Sequence, residues 1–373
     1  MMAALSSIAN VKRLLLAMLV GSLAISSAHA QADTTAKPIV DPLLMPASCC
    51  TSRTGSGAGN FSCYSGAGCV PGRNCDPGPC DSTFGRLMSG LYYGVCCPDP
   101  CYEPRWILEA NAAFFQDSPR PVTQTRVRWD AAFNYLFPDS SEFFWASIAG
   151  KKGPANPEPA IRYGMLTLYQ EVAAGPAASA FFEMTYLSFD AIGNPSGAGL
   201  GDINVGAKAV LLDRELILIT SQFRTYLPTG NFRTGLGTGH VSLEPALMAA
   251  LKITPSTYLQ TQIAEWIPIG GTPDFAGAVF HYHIALNQRL YQHGDFFTVL
   301  ANVELNGYSF RGQFTDLGGK PADMAGSTYT TLGPGFRVMF CDRADLGVGL
   351  SFRLGNNSHG PESVYRTEFR WRF

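Results

Sequence analysis

Beyond the first thirty residues the chain has no apolar run of the roughly 18 residues that a helix needs to cross a bilayer, so no spanning helix is expected. Charge is scarce as well. Asp, Glu, Lys and Arg make up 15% of the residues, and 27 basic against 29 acidic side chains leave a net charge of −2. A nucleic-acid binder would carry a clustered basic excess, so nucleic acid is not an expected partner. No G-x-S-x-G and no H-E-x-x-H is present, which removes the usual signatures of a serine hydrolase and a zinc peptidase. Long amphipathic helical patterns are also few. What remains, with 39 glycines and 12% aromatic residues, is an all-β composition.

The N-terminus reads as an export signal. Lys12 and Arg13 precede the apolar run Leu14 to Ile25, and Ala28-His29-Ala30 supplies the small-x-small site, so residues 1–30 are expected to be removed to leave Gln31. No cysteine follows that site, which argues against a lipid anchor. Residues 31–48 are polar, proline-bearing and without periodicity, as a linker is.

Ten cysteines in an exported chain imply an oxidising compartment. Nine of them, Cys49, Cys50, Cys63, Cys69, Cys75, Cys80, Cys96, Cys97 and Cys101, fall within residues 49–105, which are too rich in glycine and proline to build a core. Disulfides are expected to hold that segment together. The competing reading is a metal site, but the spacing lacks two C-x-x-C knuckles and export disfavours reduced thiols, so no metal and no cofactor is expected. The tenth cysteine, Cys341, stands alone. Nine cysteines cannot all pair among themselves, so a bridge from Cys341 to a cysteine between Cys49 and Cys101 is expected, first of all Cys96, Cys97 or Cys101, which lie nearest the start of the barrel, against a free thiol or a link to another chain.

From Trp106 to the end the texture is that of strands. In Val364 to Phe373, Tyr365, Thr367, Phe369, Trp371 and Phe373 alternate with Arg366, Glu368, Arg370 and Arg372, which puts aromatic side chains on one face and charges on the other. Leu346, Val348, Leu350 and Phe352 alternate likewise with Gly347, Gly349, Ser351 and Arg353. Strands read at 106–116, 126–136, 141–149, 161–172, 178–189, 202–212, 215–226, 240–252, 256–267, 278–290, 295–308, 327–340, 343–354 and 363–373 give fourteen. The connections between them are alternately short and long, the arrangement of an outer-membrane barrel with short periplasmic turns. The weakest strand is 141–149, where Phe143-Phe144-Trp145 breaks the alternation. Losing it alone would leave an odd count, so twelve strands would require a second to be absent too. The expected fold is therefore an all-β transmembrane antiparallel barrel over residues 106–373, with about fourteen strands, twelve being the alternative.

Three short motifs recur in order. Gly199-Leu200-Gly201-Asp202 is followed by a strand hairpin, then Leu227-Pro228-Thr229-Gly230-Asn231, then Leu236-Gly237-Thr238-Gly239. Glycines and Pro-Thr-Gly at strand ends are turn chemistry first, and no helix follows to make a phosphate cradle. Taken together they resemble the outer-membrane family of MetA-pathway of phenol degradation proteins, distantly like the long-chain fatty acid transporters. The motifs cover about a quarter of the exported chain, and the cysteine segment lies outside the likeness. The resemblance implies a barrel in the cell outer membrane that passes small hydrophobic or aromatic compounds.

In such a barrel the polar side chains line the lumen. By the alternation these are Arg128, Lys208, Arg224, Arg289, Arg337, Arg353, Arg366, Arg370 and Arg372, with Glu109, Asp130, Glu183, Glu244, Glu304 and Glu368. They would either pair across strands and stiffen the wall or form a charged constriction, with the basic excess leaning toward anionic solutes. His281 and His283 should both enter the lumen. A pair of this kind can serve metal binding or a barrel hydrolase, but with no third ligand and no serine in view a polar wall is the plainer reading. The expected function is a non-enzymatic channel or transporter whose partners are the lipid bilayer and a small solute. The alternative is a structural envelope protein whose cysteine-rich segment binds a partner.

Overall fold

The computed structural model describes residues 109–147, 152–273, 275–294, 296–315, 321–323, 325–341, 343–355 and 359–373. The expected signal sequence, linker and cysteine-rich segment lie outside the described residues, and with them nine of the ten cysteines.

Twelve strands close into an antiparallel barrel. They are β1 (Gln124–Leu136), β2 (Ala160–Ala173), β3 (Ala178–Ala191), β5 (Ile203–Asp213), β6 (Ile217–Leu227), β7 (Val241–Thr254), β8 (Thr257–Ile269), β9 (Val279–His293), β10 (Phe297–Phe310), β13 (Thr328–Phe340), β14 (Ala344–Leu354) and β15 (Ser363–Arg372). A short β4 (Gly197–Leu200) adds to the sheet, and β11 (Gln313–Thr315) and β12 (Pro321–Asp323) form a small hairpin of their own. Closure runs through β1 and β15, paired from Gln124 opposite Arg372 to Phe133 opposite Ser363, so the first and last barrel strands leave no edge.

Alternation decides which face each residue takes. The apolar members, among them Trp129, Phe182, Phe223, Ile263, Leu286, Val303, Phe336, Val348 and Phe369, are exposed on the outer wall. In water such a surface would be a large liability, and in a bilayer it is the solvated face. Tyr291, Phe296, Phe340 and Trp371 lie at the short turns after β9 and β13 and at the end of β15 as an exposed aromatic girdle. The inner wall carries the polar partners, and a closed, even-stranded barrel of this kind is an outer-membrane protein.

Two expected strands are not strands. Residues 109–123 are irregular after a single 3-10 turn, Glu109–Asn111, and residues 137–147 are a loop around a second such turn, Ser140–Glu142. The barrel therefore has twelve strands rather than fourteen. Because one absent strand precedes β1 and the other follows it, the direction of β1 reverses while every strand from β2 onward keeps its own. Short connections follow β2, β5, β7, β9 and β13, and long ones follow β1, β3, β6, β8, β10 and β14. The segment before β1 thus enters at the short-turn rim, and the β1–β2 connection sits at the long-loop rim.

The physical reason is legible in what those two segments do. Both are apolar enough to imitate strands because both are buried, but inside the barrel instead of within its wall. Phe114, Ala112 and Asn111 are buried, as are Trp145, Ala146 and Glu142.

Candidate functional site

The site is the lumen, which the chain itself fills from both ends. Residues 109–123 form a plug at the short-turn end. Apart from Thr123, whose carbonyl accepts the Phe373 N–H at 3.1 Å, their backbone groups bond chiefly to inward side chains of the wall. The Glu304 carboxylate accepts the N–H groups of Phe114 (2.6 Å) and Phe115 (2.9 Å). Gln262 accepts from the N–H of Asp117 at 2.7 Å. In the other direction Arg370 donates to the carbonyl of Asn111 (2.8 Å), Arg337 and Asn302 to that of Ala112 (3.2 and 3.3 Å), and Arg366 to that of Phe114 (2.5 Å). The Thr220 hydroxyl donates to the Pro119 carbonyl at 2.6 Å.

Side chains add charge and shape to this seat. Asp117 meets Arg224 at 2.6 Å and Arg126 at 3.7 Å, Glu109 meets Arg289 at 3.0 Å, and Arg120 pairs with Asp213. Burial alone would raise the Asp117 carboxyl, but the Arg224 and Arg126 guanidiniums outweigh it and hold the group well below the usual carboxylate range. Phe114 lies in a socket floored by Gly335, Gly347 and Gly349, where a Cβ would fall 2.6, 2.5 and 2.7 Å from its ring. The Arg337 guanidinium caps the same ring from 4.3 Å, and that of Arg366 covers Phe115 from 4.3 Å.

Below and beside the plug, the inward charges form one network. Asp345 binds Arg337, Arg370 and Arg372, while Glu368 lies 2.8 Å from Arg337 and 3.7 Å from Arg126. Glu183 meets Arg126 at 3.2 Å and Arg128 at 3.9 Å, and Asp130 meets Arg366 at 2.6 Å and Arg128 at 3.3 Å. Lys208 reaches Glu171 at 3.1 Å. For pairs so buried, desolvation offsets much of the Coulombic gain, so the network is better read as fixing one arrangement of wall and plug than as a large source of stability. Of the residues expected in the lumen, Arg353 sits at the long-loop rim and reaches the carbonyl of Gly360 at 3.4 Å, and Glu109 is on the plug instead of a strand.

His281 and His283 lie side by side on β9. The Nδ1 of His281 is 2.9 Å from the Nε2 of His283, whose Nδ1 is 2.7 Å from the Asn306 side-chain oxygen. Glu244 lies 3.5 Å from His281 and accepts the Tyr226 hydroxyl at 2.8 Å, while the Tyr308 ring stacks on His281 with centroids 5.7 Å apart. The facing ring nitrogens are spent on each other, and none of these bonds is to a serine. Among the described residues no group of three or more His, Cys, Asp or Glu is placed to hold a metal.

At the long-loop end, residues 137–147 cross the mouth as a lid. Phe143 packs with Trp266, Phe310 and Tyr329 on one wall, and Trp145 and Phe144 pack with Tyr135, Ile161, Phe189 and Leu236 on the other. The fit is costly for the backbone: Phe137, Ser141 and Glu142 all have φ between 50° and 54°. Non-glycine residues held there cost about 1–3 kcal/mol each. Asp139, Glu142 and Glu158 are buried beside one another, and both oxygens of Asp139 lack a hydrogen-bond partner. Burial therefore pushes the Asp139 carboxyl well above its ordinary value, with Glu158 and Glu142 adding to the rise. His240 is 3.6 Å from Glu142, but burial and the Lys152 charge hold its imidazole down to about 4, so it is neutral at pH 7 and brings no charge to Glu142.

The three glycine motifs form the clasp over this lid. β4 and β5 read as one strand broken at Gly201-Asp202, where the register against β3 shifts by one residue. The break aims Asp202 at the β6–β7 loop, where its carboxylate accepts the N–H groups of Gly230 and Thr238, each at 2.9 Å, and the Thr238 hydroxyl at 3.0 Å. Thr229 ties the same corner, accepting from Ile203 N–H at 2.9 Å and donating to Gly201 carbonyl at 3.2 Å. The clasp seats Leu236 against Trp145. A Cβ at Gly235 would lie 2.6 Å from the Trp145 ring and one at Gly199 2.8 Å from Leu236.

Between plug and lid is a chamber of about 110 Å³. Phe115 of the plug, Phe143 and Phe144 of the lid, and Tyr135, Tyr163, Tyr308 and Tyr329 of the wall line it, with Asn306, Thr331, Ser351 and Arg366 as its polar side. Nothing in the alternation pointed to a chamber, because two of its walls are segments read as strands. The inward glycines 347 and 349 were the signal available, since a bare lumenal face needs something to cover it.

Cys341 is exposed in the short turn after β13 with a φ of 47° and is a free thiol among the described residues. Its expected partners lie outside them.

No family model matches the chain, and no curated protein matches it. Several solved structures share the architecture at low identity. The NanC porin aligns over 67% of this chain and 100% of its own at 9% identity, with a TM-score of 0.41. An outer membrane channel from Pseudomonas putida F1 aligns over 68% of this chain and 96% of its own at 12% identity and 0.46, and the KdgM porin over 67% and 99% at 11% and 0.36. At these identities and TM-scores the alignments assign neither a family nor a role to this chain.

Proposed function

We propose that this protein is an outer-membrane channel for small hydrophobic or aromatic solutes, and that it is not an enzyme. The observation that carries the reading is the chamber: a barrel that merely anchored something would have no use for seven aromatic side chains facing a shared void. Plug and lid make the resting lumen tight, so solutes pass one at a time as either closure yields. The His281–His283 pair fits a polar wall better than a hydrolase, since no serine among the described residues is bonded to it.

The test is flux. Purified protein refolded into liposomes should admit toluene and benzyl alcohol faster than protein-free liposomes, and planar bilayers should show small, infrequent conductance steps. Absence of both flux and conductance, in protein whose electrophoretic mobility shifts on boiling as a folded barrel's does, would overturn the reading.

A further inference from the structure

We propose that the chamber is a binding site for an uncharged single-ring molecule bearing a hydroxyl group, and that it discriminates against carboxylates. This rests on the channel reading for its purpose but not for its chemistry.

Size comes first. An engineered cavity of about 150 Å³ lined by Leu, Ile and Phe binds benzene, so a void of about 110 Å³ holds one ring with little to spare and excludes an extended acyl chain. Shape agrees with size. Tyr308 and Tyr329 are stacked 4.7 Å apart with planes 4° from parallel, while Phe144 is tilted against Tyr163 at 5.0 Å, so the walls offer both ring faces and ring edges.

The polar side sets the functional group. Ser351 and Thr331 hydroxyls are 2.6 Å apart, and the Asn306 amide donates to Thr331 at 3.4 Å, its own oxygen being taken by His283. Two hydroxyls joined by one hydrogen bond have one hydrogen left to donate and lone pairs left to accept. A hydroxyl on the ring can take both.

Charge is what the chamber cannot meet. Arg366 is the charged residue in its lining, and its guanidinium is already committed to both oxygens of Asp130 (2.6 and 2.8 Å) and to the Phe114 carbonyl. A carboxylate entering here loses water and finds no free cation among the described residues of the lining. The excess of arginines in the sequence therefore does not make this chamber an anion site.

Calorimetric titration of the full-length protein at pH 7 with benzyl alcohol, toluene and benzoate tests the site. Benzyl alcohol is expected to bind saturably, at least tenfold more tightly than benzoate, and Thr331→Val should reduce it to the level of toluene. Ser351→Ala serves the same purpose if the first variant does not fold. Benzoate binding as tightly as benzyl alcohol, or benzyl alcohol indifferent to both substitutions, overturns the proposal. A protein that conducts but binds none of the three removes this site and leaves the channel reading standing; saturable binding without flux or conductance does the reverse.

Discussion

Gly335, Gly347 and Gly349 leave room for a single ring, that of Phe114, and this is where a one-carbon change has its clearest consequence. An added methyl at position 347 would sit 2.5 Å from the ring, and the far side of that ring is closed by Arg337. Gly347→Ala is therefore expected to unseat the plug at a cost of about 1–3 kcal/mol, seen as a lower melting temperature and more frequent open events in planar bilayers. Adding Phe114→Ala should restore part of the melting temperature, since the clash is gone, while leaving the channel leaky. If the two losses simply add, the socket is not what positions the plug.

Asp139 makes a second prediction at the same scale. Its folded value is raised above the ordinary carboxylate value of 3.8, so the group favours folding fully only below that value and loses the contribution as pH climbs through its folded value. Asp139→Asn has no charge to bury. It should stabilise the fold at pH 7 by an amount on the order of 1 kcal/mol, read as a higher melting temperature, and give no gain near pH 3. A stabilisation equal at both pH values would mean that ionisation is not the cost.

Among elements, the plug and the lid are the two that were misread as strands, and the reason is common to both. Burial inside a barrel demands the same apolar and small residues as burial in its wall, and a short apolar run does not say which it will be. What separates them is where the backbone hydrogen bonds go. A strand spends its N–H and C=O groups on neighbours, whereas the plug spends them on Glu304, Arg337, Arg366 and Arg370, residues that lie far away in sequence. Ion pairs add to the grip, among them Asp117 on Arg224. Asp117→Asn leaves that arginine buried with half its partnership removed, and breaking a buried pair costs about 3–5 kcal/mol. Larger and longer conductance steps are expected from the variant, at neutral pH and unchanged strand content by circular dichroism. The three glycine motifs, by contrast, were legible as turns but not as a unit, because Asp202, Gly230 and Thr238 meet only once the register shift between β4 and β5 aims the carboxylate across the rim.

For the molecule as a whole, the alternation from β2 to β15 and the segregation of short and long connections were enough to specify a closed barrel, its inner and outer faces, and the loss of strands in pairs. Side chains on a strand change face with every residue, and lipid tolerates only one kind of face, so those properties are local and written in the chain. What fills the barrel is a different kind of fact. Plug, lid, clasp and chamber depend on which distant groups become neighbours after closure, and neither periodicity nor composition records that. The socket glycines are informative only beside Phe114, Asp202 only beside Gly230 and Thr238, and the chamber only once both ends are occupied by segments that had looked like wall.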